Sequence, residues 1–176
     1  MKSSQSNERN ALTVDGIRFE TLVPKWRIAI PKQEDIQKPV QFGLKITNQS
    51  SLPYRFSFFG LMPELRDENE QLLFRVGNTN RVKIPQESDY FLALPGKSFT
   101  HFPEVKLSWN QYKLQFWGRG SFDGFWNFRH LQRGKYEARF LYKNEKSIQK
   151  LRHGGTVEGI WVGEVSTPWV EFRLVK

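Results

Sequence analysis

Three sets of side chains in this 176-residue chain are of a type that can do chemistry: three histidines, a scatter of carboxylates and one dense run of aromatic rings. His101, His130 and His153 lie far apart. None belongs to a His-x-His or His-Glu-x-x-His pattern, the spacings that bring two imidazoles to one metal. The acidic run Asp67 to Glu70 lacks the alternating Asp/Asn ligands, the glycine and the distant Glu of a calcium loop. With no cysteine, thiol nucleophiles, disulfides and thiolate-bound zinc are excluded. No Gly-x-Ser-x-Gly elbow places a serine beside a base, so His153-Gly-Gly155 reads as a turn and not as part of an oxyanion hole. Gly118-Arg-Gly120 lacks the strand-to-helix setting of a phosphate loop. Glu20, Glu64, Glu104, Asp123, Glu158 and Glu164 could supply a carboxylate pair for glycosidic chemistry, but spacing does not select two of them. The expectation is a noncatalytic protein with no metal and no cofactor, and a carboxylate-pair hydrolase is the enzymatic alternative.

The aromatic run carries more information. Trp109, Tyr112, Phe116, Trp117, Phe122, Phe125, Trp126 and Phe128 place eight rings within twenty residues, interleaved with Gly118, Arg119, Gly120, Asp123, Gly124 and Asn127. Core packing is the plain reading. The functional one is a ring platform for sugars or single-stranded nucleic acid. Adjacent residues of an extended chain point to opposite faces, so one ring of Phe116-Trp117 and one of Phe125-Trp126 should turn outward. Arg129 to Arg152 follows with eight Lys or Arg against Glu137 and Glu145. Its alternation puts Glu137, Arg139, Leu141 and Lys143 opposite Tyr136, Ala138, Phe140 and Tyr142. We expect a basic surface there, not a network of ion pairs. The candidate ligand-binding residues are Trp117, Arg119, Phe122 and Trp126 from the aromatic segment 109–128, with Lys146, Lys150 and Arg152 from the basic segment 129–152.

The elements that must position these residues are strands. Fifteen Phe, six Trp and five Tyr favour pleated surfaces and fill a core with large rings. Val40 to Asn48 alternates, with Phe42, Leu44 and Ile46 on one side. Ile17 to Thr21, Trp26 to Ile30, Tyr54 to Phe58, Ser98 to Leu107, Tyr112 to Trp117, Tyr136 to Tyr142 and Val170 to Leu174 read likewise, separated by turn signals. Asp67 to Glu70 marks a hairpin with Leu72 to Val76 returning. No segment carries a sustained 3.6-residue apolar stripe, and only Ser147 to Leu151 has room for a helical turn. Gly134-Lys-Tyr136 suits a tyrosine corner, the hydroxyl bonding back to upstream backbone.

The order of Phe42-Gly-Leu-Lys-Ile-Thr-Asn48, the hairpin at Leu65 to Glu70, Pro95-Gly-Lys-Ser98 and Gly134-Lys-Tyr136 resembles the bacterial intracellular proteinase inhibitor family and related immunoglobulin-like modules. The likeness covers residues 40–107 and 131–175. Trp109 to Arg129 then reads as an insertion, and no inhibitory loop carries over. The expected fold is all-β, a single-domain immunoglobulin-like antiparallel β-sandwich over residues 11–176 behind a disordered tail, residues 1–10. Function is expected to be protein binding through loops at one end, with Val76 to Tyr90, Gly118 to Gly124 and Asn144 to Glu158 the longest. The alternative is carbohydrate or polyanion binding by the aromatic and basic segments, in keeping with a net charge of +9. The polar N-terminus has no signal-peptide core and no apolar run is long enough to span a bilayer, so a cytoplasmic location is expected, short of export as a longer precursor.

Overall fold

The computed structural model describes residues 9–59, 61–78, 85–120, 124–152 and 154–176. These residues form strands and a single 3-10 turn, Glu87–Asp89. The fold is all-β and sandwich-like, as the aromatic and β-branched bias requires.

Three sheets carry the architecture. The first joins β1 (Ala11–Val14), β2 (Ile17–Leu22), β5 (Gly43–Asn48) and β10 (Ser98–His101) in that spatial order. The second runs β4 (Lys38–Val40), β11 (Val105–Asn110), β12 (Lys113–Arg119), β13 (Phe125–Leu131) and β8 (Arg75–Asn78). The third centres on β14 (Gly134–Asn144), flanked by β7 (Met62–Asp67) on one side and by β17 (Gly163–Ser166) and β18 (Val170–Val175) on the other. Beyond β18 lies β3 (Arg27–Ala29), its parallel partner. Two small pairs complete the fold: β6 (Tyr54–Phe56) with β9 (Phe91–Ala93), and β15 (Gln149–Lys150) with β16 (Thr156–Val157).

Period-two alternation decides what is buried. Along β14, Tyr136, Ala138, Phe140 and Tyr142 face the core, and Phe19, Leu44, Ile46, Phe116 and Phe172 meet them with no exposed surface. Phe19, Phe56, Tyr142 and Trp161 pack with ring centroids 5.1–6.4 Å apart. The Tyr142 hydroxyl lies near the Ser57 backbone but makes no hydrogen bond of good geometry among the described residues; burial pushes its pKa well above the usual phenol value.

Several expectations need correction. Trp109 to Arg129 is not an insertion: it builds β11 to β13, which hold the middle of the second sheet. Ser98 to Leu107 is two strands in different sheets, because Pro103 interrupts it. After the turn at Asp67 to Glu70 the chain makes one bridge, Arg66 to Leu72, and then leaves to pair with β13. Gln149 and Lys150 are extended, not helical. The expected tail falls on residues 1–8, outside the described residues, except Arg9 and Asn10; the Asn10 carbonyl accepts from the Thr21 amide at 3.0 Å and is tied to the fold.

The tyrosine corner is present. Tyr136, 7% exposed, accepts from the Gln132 amide at 2.9 Å and donates to the Gln132 carbonyl at 3.1 Å.

Candidate functional site

At one end of the sandwich, short turns and strand ends surround a cleft of about 660 Å³, within the size range of small-molecule and peptide sites. One wall is the β11–β12 hairpin. Asn110 pairs with Lys113, leaving Gln111 and Tyr112 as a two-residue turn with φ of 49° and 62°. Such a turn normally uses Asn-Gly, since both residues sit in the left-handed region; here it carries a tyrosine that is 84% exposed. A second wall comes from β13. Leu114 pairs with Leu131 and Phe116 with Phe128, so Gln115 faces both Arg129 and His130. That is a β-bulge, a device that re-aims side chains. His130, at φ 61°, lines the cleft with Leu131, Gln132 and Arg133. The tyrosine corner holds Gln132 by its backbone.

The third wall is the chain leaving β3: Ile30, Pro31 and Lys32. The Trp109 indole N–H donates to the Pro31 carbonyl at 2.7 Å, and the Ile30 amide donates to the Val175 carbonyl at 2.8 Å. Ile30, Pro31, Trp109, Leu114 and Leu131 thus give an apolar floor, and Lys32, Lys113, Arg133 and Lys176 rim it. No Asp or Glu side chain among the described residues lines the cleft, and none of these four cations makes an ion pair with a described residue. The cleft therefore suits an anionic group carried on an apolar body, and it lacks the paired carboxylates that glycosidic chemistry would need there.

None of the described candidates from the sequence lines this cleft. Trp126 is 4% exposed and belongs to the core, where it lies against Gly118. Its neighbour Phe125 is the outward ring, 50% exposed. Trp117 does turn outward and is half-buried. The Lys106 ammonium already sits 4.9 Å from its ring centroid and reaches Glu104 at 2.9 Å. Arg119 shares that carboxylate at 3.9 Å, and the hydrogen bond from Lys106 holds Glu104 below the usual carboxylate range. Phe122 lies outside the described residues, as do His153 and Asp123. Lys146, Lys150 and Arg152 are exposed on and beside the β15–β16 pair, apart from the cleft.

The basic segment is also corrected. Its charges point outward as alternation requires, but those on β14 are paired. Lys135 meets Glu171 at 3.1 Å, Arg139 meets Glu64 at 2.7 Å, and Lys143 meets Glu145 and Glu164 at 3.0 and 3.5 Å. Glu137 meets Arg66 at 2.5 Å. The Arg66 and Arg139 guanidinium groups flank the Trp169 ring at 4.6 and 4.4 Å, a cation–π arrangement. Among the described residues, no cluster of His, Asp or Glu fits a metal ion, and no helix is long and apolar enough to cross a membrane.

No protein-family profile, curated protein or solved structure matches this chain.

Proposed function

We propose that this protein is a noncatalytic interaction module that binds another protein, receiving an acidic, apolar segment of it in the end cleft. The observation that carries this reading is the rim of four cations that make no ion pair with a described residue, around an apolar floor with no acidic side chain among its described lining residues. Complementary charge selects the partner and raises its association rate, while apolar burial supplies affinity. Turns on a rigid sheet scaffold are suited to this role. The segments that contribute are the aromatic and basic ones singled out in the sequence. The residues are different, and the longest loops do not line the cleft.

The test is fluorescence anisotropy with a fluorescein-labelled pentapeptide of sequence Asp-Leu-Phe-Asp-Glu. The expected result is saturable binding that weakens as salt rises. In the Lys113→Gln/Arg133→Gln variant it falls about tenfold, since two exposed charge contacts of roughly 0.5–1 kcal/mol each approach the 1.4 kcal/mol of one decade. Equal binding by that variant, or a preference for the peptide with Asn and Gln in place of its acids, overturns the reading. Heparin outcompeting every acidic peptide would assign the cleft to polyanions instead.

A further inference from the structure

A second cleft lies beside β3, and its walls are two sheet edges. β3 ends the third sheet and β4 ends the second. Every residue of both strands lines the gap between them, together with Lys25 and Gln41, and its volume is about 390 Å³. We propose that the free edge of β3 accepts an extended acidic segment of another protein as an added strand, seated between β3 and β4. This site is distinct from the end cleft and stands whether or not that cleft binds a peptide.

The backbone is the first argument. β3 pairs with β18 in parallel, Arg27 opposite Arg173 and Ala29 opposite Val175. The Arg173 amide donates to the Trp26 carbonyl at 2.6 Å, and the Ile30 amide donates to the Val175 carbonyl at 2.8 Å. Groups bonding one neighbour recur at every second residue of a parallel strand. Trp26, Ile28 and Ile30 therefore serve β18, and the N–H and C=O groups of Arg27 and Ala29 point to the open side. Unpaired edge groups of this kind are a template for strand addition. The facing wall is a poorer template, because Pro39 in the middle of β4 has no N–H to give.

Charge is the second argument, and it names the occupant. Lys25, Arg27 and Lys38 surround the gap, no acidic side chain among the described residues lines it, and none of the three makes an ion pair with a described residue. Ile28 and Val40, 5% and 7% exposed, give it an apolar base. An incoming strand of alternating acidic and apolar residues satisfies both features. A second copy of this edge does not, because pairing β3 with itself would set Lys25 and Arg27 against their own copies in a chain of net charge +9.

The probe is a fluorescein-labelled hexapeptide, Glu-Val-Glu-Val-Glu-Val, compared with the same peptide N-methylated at alternate residues. Methylation keeps the charge and removes main-chain donors. The acidic peptide should bind the full chain, and binding should slow amide hydrogen exchange at Arg27 and Ala29. Methylation should cost at least tenfold, as should Lys25→Gln/Arg27→Gln/Lys38→Gln. Ala29→Pro, which removes one free-edge donor and leaves the β18 ladder in place, should weaken binding while circular dichroism reports an intact fold. In the Lys113→Gln/Arg133→Gln background, which weakens the end cleft, the tenfold cost of methylation should persist. Equal affinity for the methylated peptide would reduce the interaction to charge alone. Loss of binding in the Lys113→Gln/Arg133→Gln variant would put the peptide in the end cleft. No binding at all would mean that the cations only keep the edge from pairing, and each of these results overturns the proposal.

Discussion

Two tyrosines on one strand should respond oppositely to the same substitution. Tyr136 and Tyr142 share the core face of β14 and are 7% and 0% exposed. The Tyr136 hydroxyl both accepts from and donates to the Gln132 backbone, whereas that of Tyr142 has no hydrogen bond of good geometry. In Tyr136→Phe the apolar ring stays, so burial changes little. Two backbone groups lose their partner, and an orphaned buried polar group costs about 1–3 kcal/mol. Gln132 is an exposed residue, so water can satisfy part of the loss and the lower half of that range, about 1–2 kcal/mol, is expected. In a chain of this length each kcal/mol lowers Tm by roughly 2–4 °C, which gives a drop of roughly 2–8 °C. Tyr142→Phe removes a buried hydroxyl that contributes desolvation cost without a bond, so its effect should be near zero or stabilising. Urea denaturation followed by Trp fluorescence checks both, with the slope m expected to hold constant so that midpoints compare directly. If Tyr136→Phe is neutral, or if both variants lose the same stability, the hydroxyl bonds are not what separates the two sites and the tyrosine-corner argument fails.

Three further outcomes are expected. Gly118→Ala would place a Cβ 2.3 Å from Trp126 Cζ2 and 2.8 Å from the Glu104 carbonyl oxygen; overpacking of this kind costs about 1–3 kcal/mol, read as a lower urea midpoint with altered near-UV dichroism from Trp126. Replacing Gln111-Tyr112 by Asn-Gly (Gln111→Asn/Tyr112→Gly) relieves left-handed strain of about 1 kcal/mol per residue, so calorimetry should show a higher Tm while the acidic pentapeptide binds less tightly for want of the Tyr112 ring. Burial against Phe58, whose ring stacks on His101 at 4.0 Å, pushes the imidazole below its ordinary 6.5. The folded state then binds that proton less readily than the unfolded one, so the contribution is complete above 6.5 and is lost as pH falls from there toward the depressed folded value. Urea midpoints of His101→Phe, compared at about pH 7.5 and about pH 5, should therefore differ less than those of the parent.

What was legible in the sequence was local. The alternations of β2, β5, β14 and β18 each fit within a dozen residues, and Gly134-Lys-Tyr136 names its own partner four residues upstream. What was missed depended on distant partners. Within its own stretch the basic segment has only two glutamates, but Glu64, Glu164 and Glu171 reach β14 across neighbouring strands. Parity separated Phe125 from Trp126 and had no means of telling which faced the core; Gly118 on the adjacent strand, with no side chain, makes the room that the indole fills. The four rim cations come from positions 32, 113, 133 and 176, and the two nearest are twenty residues apart.

The distribution of backbone strain adds a geometric argument for the binding role proposed for the cleft. Among the described residues five non-glycine positions have positive φ: Asp15, Glu70, Gln111, Tyr112 and His130. Asp15 precedes Gly16 in a hairpin turn, where Asp tolerates this region, and Glu70 closes the turn whose amides bond to Asp67. The other three gather where the β11–β12 turn and the β13 bulge meet the cleft. A tyrosine and a glutamine in a turn that glycine would relax cost stability, and the sheet ladder on either side holds them there. The left-handed His130 at the bulge re-aims its side chain, and the turn presents a tyrosine where glycine is usual. The Gln132 backbone beside them is locked by Tyr136. A wall built this way is fixed before any partner arrives, which lowers the ordering cost of binding. That property suits the binding role proposed above, and plain sheet packing would not require it.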